Sequence, residues 1–231
     1  MAADRGETMA EMATPDTNTA ARGLIVMDID STLINEEVID LLGEEAGVGD
    51  RVAQITERAM RGELDFREAL AERVGLLAGL DESVFDRTFA RVTFTPGALE
   101  LVEEAHRRGW KVGVVSGGFH QVADKIVAAA GIDYCLANQL EVVDGRLTGK
   151  VISEVVTKES KVRALHEWAD ELGLSRGKTV AMGDGANDIP MILEAGIGIA
   201  FCGKPKTRAA APHSIGKRDL MLAWPIIDGK Q

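Results

Sequence analysis

The sequence predicts an α/β fold, a Rossmann-like doubly wound parallel sheet with a helical cap inserted after the first strand. Three observations carry this. Short runs that are nearly continuous in apolar residues recur along the chain, as in parallel strands covered on both faces. Amphipathic helical patterns lie between them. Residues 36–95 read as helical with no convincing strand, and they are far too long for an ordinary crossover, so an insertion is the economical explanation.

The elements follow in order. Residues 1–22 are polar and acidic and lack the basic start and apolar middle of a secretion signal, so a disordered N-terminal tail is expected there. GLIVMD (23–28) is the first strand. The catalytic core is expected over 23–35 and 96–231, with 36–95 as the cap. Thr95-Pro96 reads as a helix start, a capping residue followed by proline at the first helical position, and the helix stops near Gly109. WKVGVV (110–115) is the second strand, followed by a helix over about 119–130 that ends at Gly131. YCLA (134–137) is the third strand. QLEVVDGRLTGKV (139–151) carries Asp144-Gly145 between two alternating runs, a hairpin signal. A helix over about 158–172 aligns Val162, Leu165, Trp168 and Leu172 on one face. KTVAMG (178–183) and IGIAF (197–201) complete the strands.

Composition narrows the function. The 231 residues carry 26 Lys and Arg against 37 Asp and Glu, and 26 − 37 gives a net charge of −11. With no basic run to offset it, nucleic acid and anionic membrane are not expected partners. No stretch approaches the roughly 20 apolar residues of a membrane span. Two cysteines, Cys135 and Cys202, make no disulfide framework and sit in apolar surroundings, as expected of buried thiols in a reducing cytoplasm.

The chemistry begins at MDIDST (27–32). Residues i and i+2 of a strand point to one side, so Asp28 and Asp30 face one site at the carboxyl end of the first strand, the edge where doubly wound sheets bind ligands. Such a pair suggests a metal, a proton transfer, or both. The second strand runs into SGGF, where Ser116, Gly117 and Gly118 offer an anion cradle or an ordinary turn. Lys161 opens a helical pattern, either as a functional cation or as a solvated lysine. GDGANDIP places Asp184 and Asp188 four apart, one helical turn, a pair suited to a hard cation. His106, His120, His166 and His213 show no metal-ligand spacing, and Lys204 and Lys206, which could approach the same edge, read as loop charges.

In this order, DxD, Ser, Lys and GDGxND, the motifs resemble the haloacid dehalogenase superfamily of aspartate-nucleophile phosphatases. Longer blocks (DIDSTLINEEVIDLLGEEAGV, ITERAMRGELDFREALAERV, VVSGGF, ANQLEVVDGRLTG, KESK and MGDGANDIPM) are similar to the phosphoserine phosphatase family over about residues 24–222. The resemblance implies a cytoplasmic enzyme that hydrolyses O-phospho-L-serine at the last step of serine biosynthesis, through an aspartyl-phosphate on Asp28. Asp30 is then the general acid/base. One Mg²⁺ is held by Asp28, the backbone carbonyl of Asp30 and Asp184, with Asp188 behind them holding a metal-bound water. Ser116, the Gly117 N–H and Lys161 bind phosphate, and Asn187 orients neighbouring groups. Glu37 takes the substrate ammonium and Arg73 its carboxylate as a bidentate fork, while Met60 and Phe66 line the closed pocket. Many members of this family carry an additional N-terminal regulatory domain that senses amino acids; only a short polar tail precedes the first strand here, so feedback through such a domain is not expected.

Electrostatics favours a cation in such a site. Two like charges at 4 Å in an effective dielectric of about 20 repel by about 4 kcal/mol, so a carboxylate approaches a phosphate dianion only where cations offset the repulsion. Two other readings stand beside this one: a phosphatase or phosphotransferase acting on a related ester such as homoserine phosphate, and a non-catalytic phosphoacceptor signalling module. The module needs neither a general acid at Asp30 nor a long helical cap.

Overall fold

The computed structural model describes residues 20–229. The expected tail falls mostly on residues 1–19, which lie outside them. Its last residue, Arg22, donates its backbone N–H to the Gly109 carbonyl at 2.8 Å.

Six parallel strands form the sheet, in the order β3-β2-β1-β6-β7-β8. They are β1 (Gly23–Met27), β2 (Trp110–Phe119), β3 (Tyr134–Asn138), β6 (Thr179–Gly183), β7 (Ile197–Phe201) and β8 (His213–Ile215). A separate antiparallel hairpin, β4 (Leu140–Val143) and β5 (Arg146–Val151), turns at Asp144-Gly145 as its sequence signal requires. All five expected strands are present. Two details differ. The second strand runs on through Ser116 and Gly117 to Phe119, with a register shift against β3 after Val115. The short β8 had no sequence signal.

Side-chain alternation divides the interior. Ile25, Met27, Val112, Val114, Val180, Met182, Ile199 and Phe201 face one core; Leu24, Val26, Val115 and Ala181 face the other. This period of two, with both faces apolar, is why the strands read as unbroken hydrophobic runs. The first face is covered by α5 (Ala98–Arg107), α6 (His120–Ala130) and α10 (Ala223–Ile227), and the second by α7 (Lys158–Glu171) and α8 (Ile189–Glu194). On that second face Trp168 of α7 stacks on Tyr134 with ring centroids 5.2 Å apart. Gly113 of β2 leaves room for the indole: a Cβ there would lie 2.5 Å from the Trp168 ring.

Between Asn35 and Thr93 the inserted segment makes four α-helices, α1 (Val38–Glu45), α2 (Gly49–Met60), α3 (Phe66–Gly75) and α4 (Val84–Phe89). It leaves and returns side by side. Asn35 N–H bonds the Thr93 carbonyl at 3.0 Å, and Thr95 N–H bonds the Leu33 carbonyl at 2.9 Å. The hairpin braces the far end of the insertion, with Gly79 N–H on the Leu147 carbonyl at 2.7 Å.

The helix expected from Thr95-Pro96 starts later. Thr95 is still paired with Leu33 of the outgoing chain, and Gly97, at φ 78°, is the residue before the first helical turn. A left-handed turn of this kind suits glycine, so Pro-Gly acts here as a turn and α5 begins at Ala98. Cys135 and Cys202 are half-buried rather than buried; Cys202 occupies the turn after β7, at φ 45°. Among the described residues no helix is long and apolar enough to cross a membrane.

Candidate active site

The strand register assembles the site. Met27 pairs with Val114 on one side and with Met182 on the other, so β1 and β6 end together beside the stretch of β2 that runs on through Ser116. The chain runs from β1 to β2 on one side of this point and from β6 to β7 on the other, which opens a crevice at the carboxyl edge. Asp28 follows β1 directly and Asp184 follows β6 directly.

Asp28 is 6% exposed, and each of its oxygens is engaged. Oδ1 accepts the Ile29 N–H at 2.8 Å. Oδ2 lies 2.7 Å from the Lys161 Nζ. Lys161 projects from the first turn of α7, where Thr157 caps the helix by accepting from the Ser160 N–H. Its side chain is buried, and it also donates to Asp188 Oδ1 at 2.7 Å. The second oxygen of Asp188 accepts the Gly185 N–H at 2.9 Å. Burial acts against the Lys161 ammonium, but the Asp188 and Asp28 carboxylates outweigh it and hold its pKa above the ordinary lysine value.

The GDGAND stretch is a turn and not the helical turn expected from its spacing: Asp188 precedes α8 and closes the turn with its N–H on the Gly185 carbonyl at 3.2 Å. The carboxylates converge all the same. One oxygen from each of Asp28, Asp184 and Asp188 lies within 4.8 Å of the others. Three carboxylates against the buried Lys161 and the exposed Lys204 still leave an excess of negative charge in a mostly buried place. Burial raises the pKa of Asp28 well above the usual carboxylate range, aided by Asp188 and Asp30 and opposed by Lys161. Asp184 is raised too, by burial, with Lys204 opposing. Hard oxygen donors and unbalanced charge are what a divalent cation such as Mg²⁺ requires, so the residues fit that ion.

Asp30 stands beside this cluster. Its carboxylate accepts the Val38 N–H at 2.9 Å and the Ser116 hydroxyl at 3.1 Å. Burial and then the neighbouring Glu37 push its pKa up to about 7. Ser116 is itself fixed, since its Oγ accepts the Gly118 N–H at 2.8 Å.

A cavity of about 400 Å³ opens over these groups, lined among others by Asp28, Asp30, Glu37, Phe66, Arg73, Gly117, Asp184 and Asn187. Glu37 comes from just before α1, where its Oε1 accepts the Ser31 hydroxyl at 2.8 Å. Arg73, on α3, donates from Nε to the Ala69 carbonyl at 3.2 Å. Phe66, 44% exposed, stands at the start of α3 opposite Gly117. Asn187 is exposed at the rim. Met60 ends α2, and its side chain lies outside the described residues. The structure therefore brings the other eleven sequence-predicted residues together.

Lys204 corrects the reading of the CGKPK lysines as loop charges. It also lines the cavity, with its Nζ 3.6 Å from Asp184 Oδ2 and its backbone N–H on the Asp184 carbonyl at 2.9 Å. Its position just past the end of β7, on the same sheet edge, was the available signal. Lys206 is exposed in the short helix that follows. Of the histidines, His106 pairs with Asp133 and His120 with Asp124, away from the cavity.

Comparison with known proteins places these features in company. The model of the haloacid dehalogenase-like hydrolase family matches residues 25–193. The phosphoserine phosphatase of Streptococcus thermophilus is 62% identical over 207 residues, spanning 90% of this chain and 96% of its own. That of Lactococcus lactis is 54% identical over 209 residues, spanning 90% and 97%. Among solved structures, a substrate-bound phosphoserine phosphatase complex superposes with a TM-score of 0.84 at 44% identity, covering 89% of this chain and 98% of that one.

Proposed function

The chain belongs to the haloacid dehalogenase-like hydrolase family, among its phosphoserine phosphatases, and from that premise we propose that it hydrolyses O-phospho-L-serine to serine and phosphate, with Mg²⁺, through a phosphorylated Asp28. The observation that carries this reading is the convergence of a buried Asp28–Lys161–Asp188 set and a high-pKa Asp30 on one cavity that also presents Glu37 and Arg73.

In the first half-reaction a carboxylate oxygen of Asp28 forms a bond to phosphorus while the bond from phosphorus to the serine oxygen breaks. Asp30, protonated, gives its proton to that departing oxygen. In the second half-reaction Asp30 takes a proton from the water that attacks phosphorus, and the Asp28 carboxylate is released. A carboxyl with a pKa of about 7 exchanges a proton readily near neutrality, which suits both duties. Lys161 offsets the charge of Asp28 and of the incoming phosphate, the Gly117 N–H donates to a phosphate oxygen, and Ser116 does so once its hydroxyl turns from Asp30. Asp28, the Asp30 carbonyl and Asp184 would hold Mg²⁺. Asp188 would stand behind them, with its two oxygens on Lys161 and the Gly185 N–H. When bound, the ion supplies the positive charge that lets two anions approach.

Glu37 and Arg73 suit the ammonium and carboxylate of an amino-acid ester. Asn187 orients groups at the rim, and Phe66 helps enclose the substrate. Such a reaction forms the last step of serine biosynthesis. The test is phosphate release from a panel of phosphorylated metabolites, with and without chelator, for wild type and Asp28→Asn. The expected result is chelator-sensitive turnover with O-phospho-L-serine preferred, and a folded, inactive variant. An Asp28→Asn protein as active as wild type would sink the assignment.

A further inference from the structure

The substrate-facing groups Asp30 and Glu37 ride on one crossing of the chain, from the end of β1 to the start of α1. The crossing is held internally. Asp30 accepts the Val38 N–H, Ser31 donates its hydroxyl to Glu37, and the Ser31 N–H bonds the Glu36 carbonyl at 3.2 Å. Ser31 sits at φ 55°, a left-handed conformation that a residue with a Cβ adopts only when its surroundings impose it.

A third segment of the chain bonds to it. Arg218 lies between β8 and α10, far from Ser31 in sequence. Its Nη2 donates to the Ser31 carbonyl at 3.1 Å. Its Nη1 donates to Asn35 Oδ1 at 3.0 Å and to Thr95 Oγ1 at 3.2 Å. The guanidinium carbon stands 5.9 Å from the centre of the Phe201 ring. Asn35 reaches in turn across the return strand, with its Nδ2 on Thr93 Oγ1 at 2.9 Å. One guanidinium thus fastens the outgoing crossing at two points and the returning strand at a third. The segment beneath it is anchored too: the Leu220 N–H bonds the Pro96 carbonyl at 2.9 Å.

We propose that Arg218 is a positioning residue for substrate selection: by pinning the Ser31 peptide and Asn35 it fixes where Glu37 stands in the cavity. It touches none of the reacting groups. A planar fork reaches acceptors in several directions at once, which a lysine ammonium at the end of a flexible stem does not reproduce. Of the two arms of the test, only the kinetic one rests on the phosphoserine reading above.

The kinetic arm compares kcat/KM for O-phospho-L-serine with kcat/KM for p-nitrophenyl phosphate, an ester without ammonium or carboxylate, in wild type, Arg218→Met and Arg218→Lys. The ratio is expected to fall by about tenfold or more in Arg218→Met, with only part restored in Arg218→Lys. The second arm is amide hydrogen exchange in Arg218→Met. Asn35, Val38 and Thr95 are expected to lose about tenfold in protection while Ile25 and Val112 of the sheet keep theirs. A substrate ratio within about threefold of wild type overturns the proposal. So does unchanged exchange at the three amides, or a loss of protection spread through the sheet, which marks plain destabilisation. If wild type turns over neither ester, the phosphoserine reading fails, and the exchange arm alone decides the role of Arg218.

Discussion

The Lys161 ammonium and the Asp28 carboxylate meet at 2.7 Å, with 1% of Lys161 exposed. Lys161 is shared with Asp188 at the same distance, so a single cation serves two buried carboxylates. Removing it strands both. Breaking a buried ion pair from one side costs about 3–5 kcal/mol, because the remaining charge has neither water nor a partner. Lys161→Met is therefore expected to be inactive and to lose stability of that order in urea unfolding with chelator present. Added Mg²⁺ is expected to restore part of the stability, since it supplies charge to the same carboxylates. A variant as stable as wild type under chelation would show that these carboxylates shed their charge on folding.

Asp30 and Ser116 form a second pair with a distinct consequence. Asparagine at position 30 still accepts the Val38 N–H, but it carries no exchangeable acid proton. General acid catalysis is commonly worth about 10²–10⁴-fold, so Asp30→Asn is expected to lose turnover in that range while remaining folded. It also removes a carboxylate whose ionisation burial and Glu37 oppose, so the variant is expected to be at least as stable as wild type near neutral pH. Steady-state kinetics and thermal unfolding of the same preparation check both halves.

Arg73 sets a prediction about selectivity. It is half-buried, burial lowers its pKa, and the carboxylates of Asp40, Glu37 and Asp30 oppose that shift. If its fork takes the substrate carboxylate, Arg73→Met raises KM for O-phospho-L-serine by about tenfold or more, the scale of one lost charged hydrogen bond. Hydrolysis of p-nitrophenyl phosphate is expected to change little. Equal losses on both esters would mean that Arg73 serves the architecture of α3 and not the substrate.

The parts of this site that were legible in the sequence share a property: their position follows from local chain geometry. Asp28 and Asp184 stand directly after apolar runs, so a strand end determines where they point. Lys161 and Ser116 gained meaning from order along the chain. Lys204 was legible only by its place past the end of β7, whereas Arg218 was not legible, because a loop brings it in to bond Ser31, Asn35 and Thr95 through contacts that no periodicity encodes. At Thr95-Pro96-Gly97 two local signals competed. The left-handed glycine and the pairing of Thr95 with Leu33 prevailed over the proline start. β8 spans three residues, too short to display alternation.

Gly183 links packing to the site. A Cβ at that position would lie 2.3 Å from the Asp188 Cγ. Asp188 is fully buried and tied at both oxygens, so it has no room to retreat. Gly183→Ala is expected to displace the carboxylate that holds Lys161 and to cost about 1–3 kcal/mol, as overpacking does elsewhere. Activity is expected to fall together with stability. Gly113→Ala is the matched control. It drives a Cβ to 2.5 Å from the Trp168 ring of α7 without touching the carboxylates, and is expected to lose stability while keeping its selectivity between esters. Unfolding midpoints and relative kcat/KM values for the two variants separate these cases.

Asp133 carries the pH dependence that is clearest to test, because it lies away from the cavity. Burial alone would raise its pKa. Lys111 at 2.6 Å, the Val112 N–H at 2.9 Å and His106 at 2.8 Å together outweigh that and hold it below the ordinary aspartate value. A carboxyl whose pKa is depressed by folding contributes stability in full above its unfolded value, near 3.9, and loses it as pH falls through the lower folded value. Asp133→Asn is therefore expected to be less stable than wild type at pH 7, by about 1–2 kcal/mol for the charged hydrogen bonds lost. Below about pH 4 the two proteins are expected to converge, as wild type loses the same charge by protonation. Urea unfolding at a series of pH values measures the gap directly. A gap that stayed constant down to the acid limit would assign the effect to packing around β2 and β3 instead of to the ionised carboxylate.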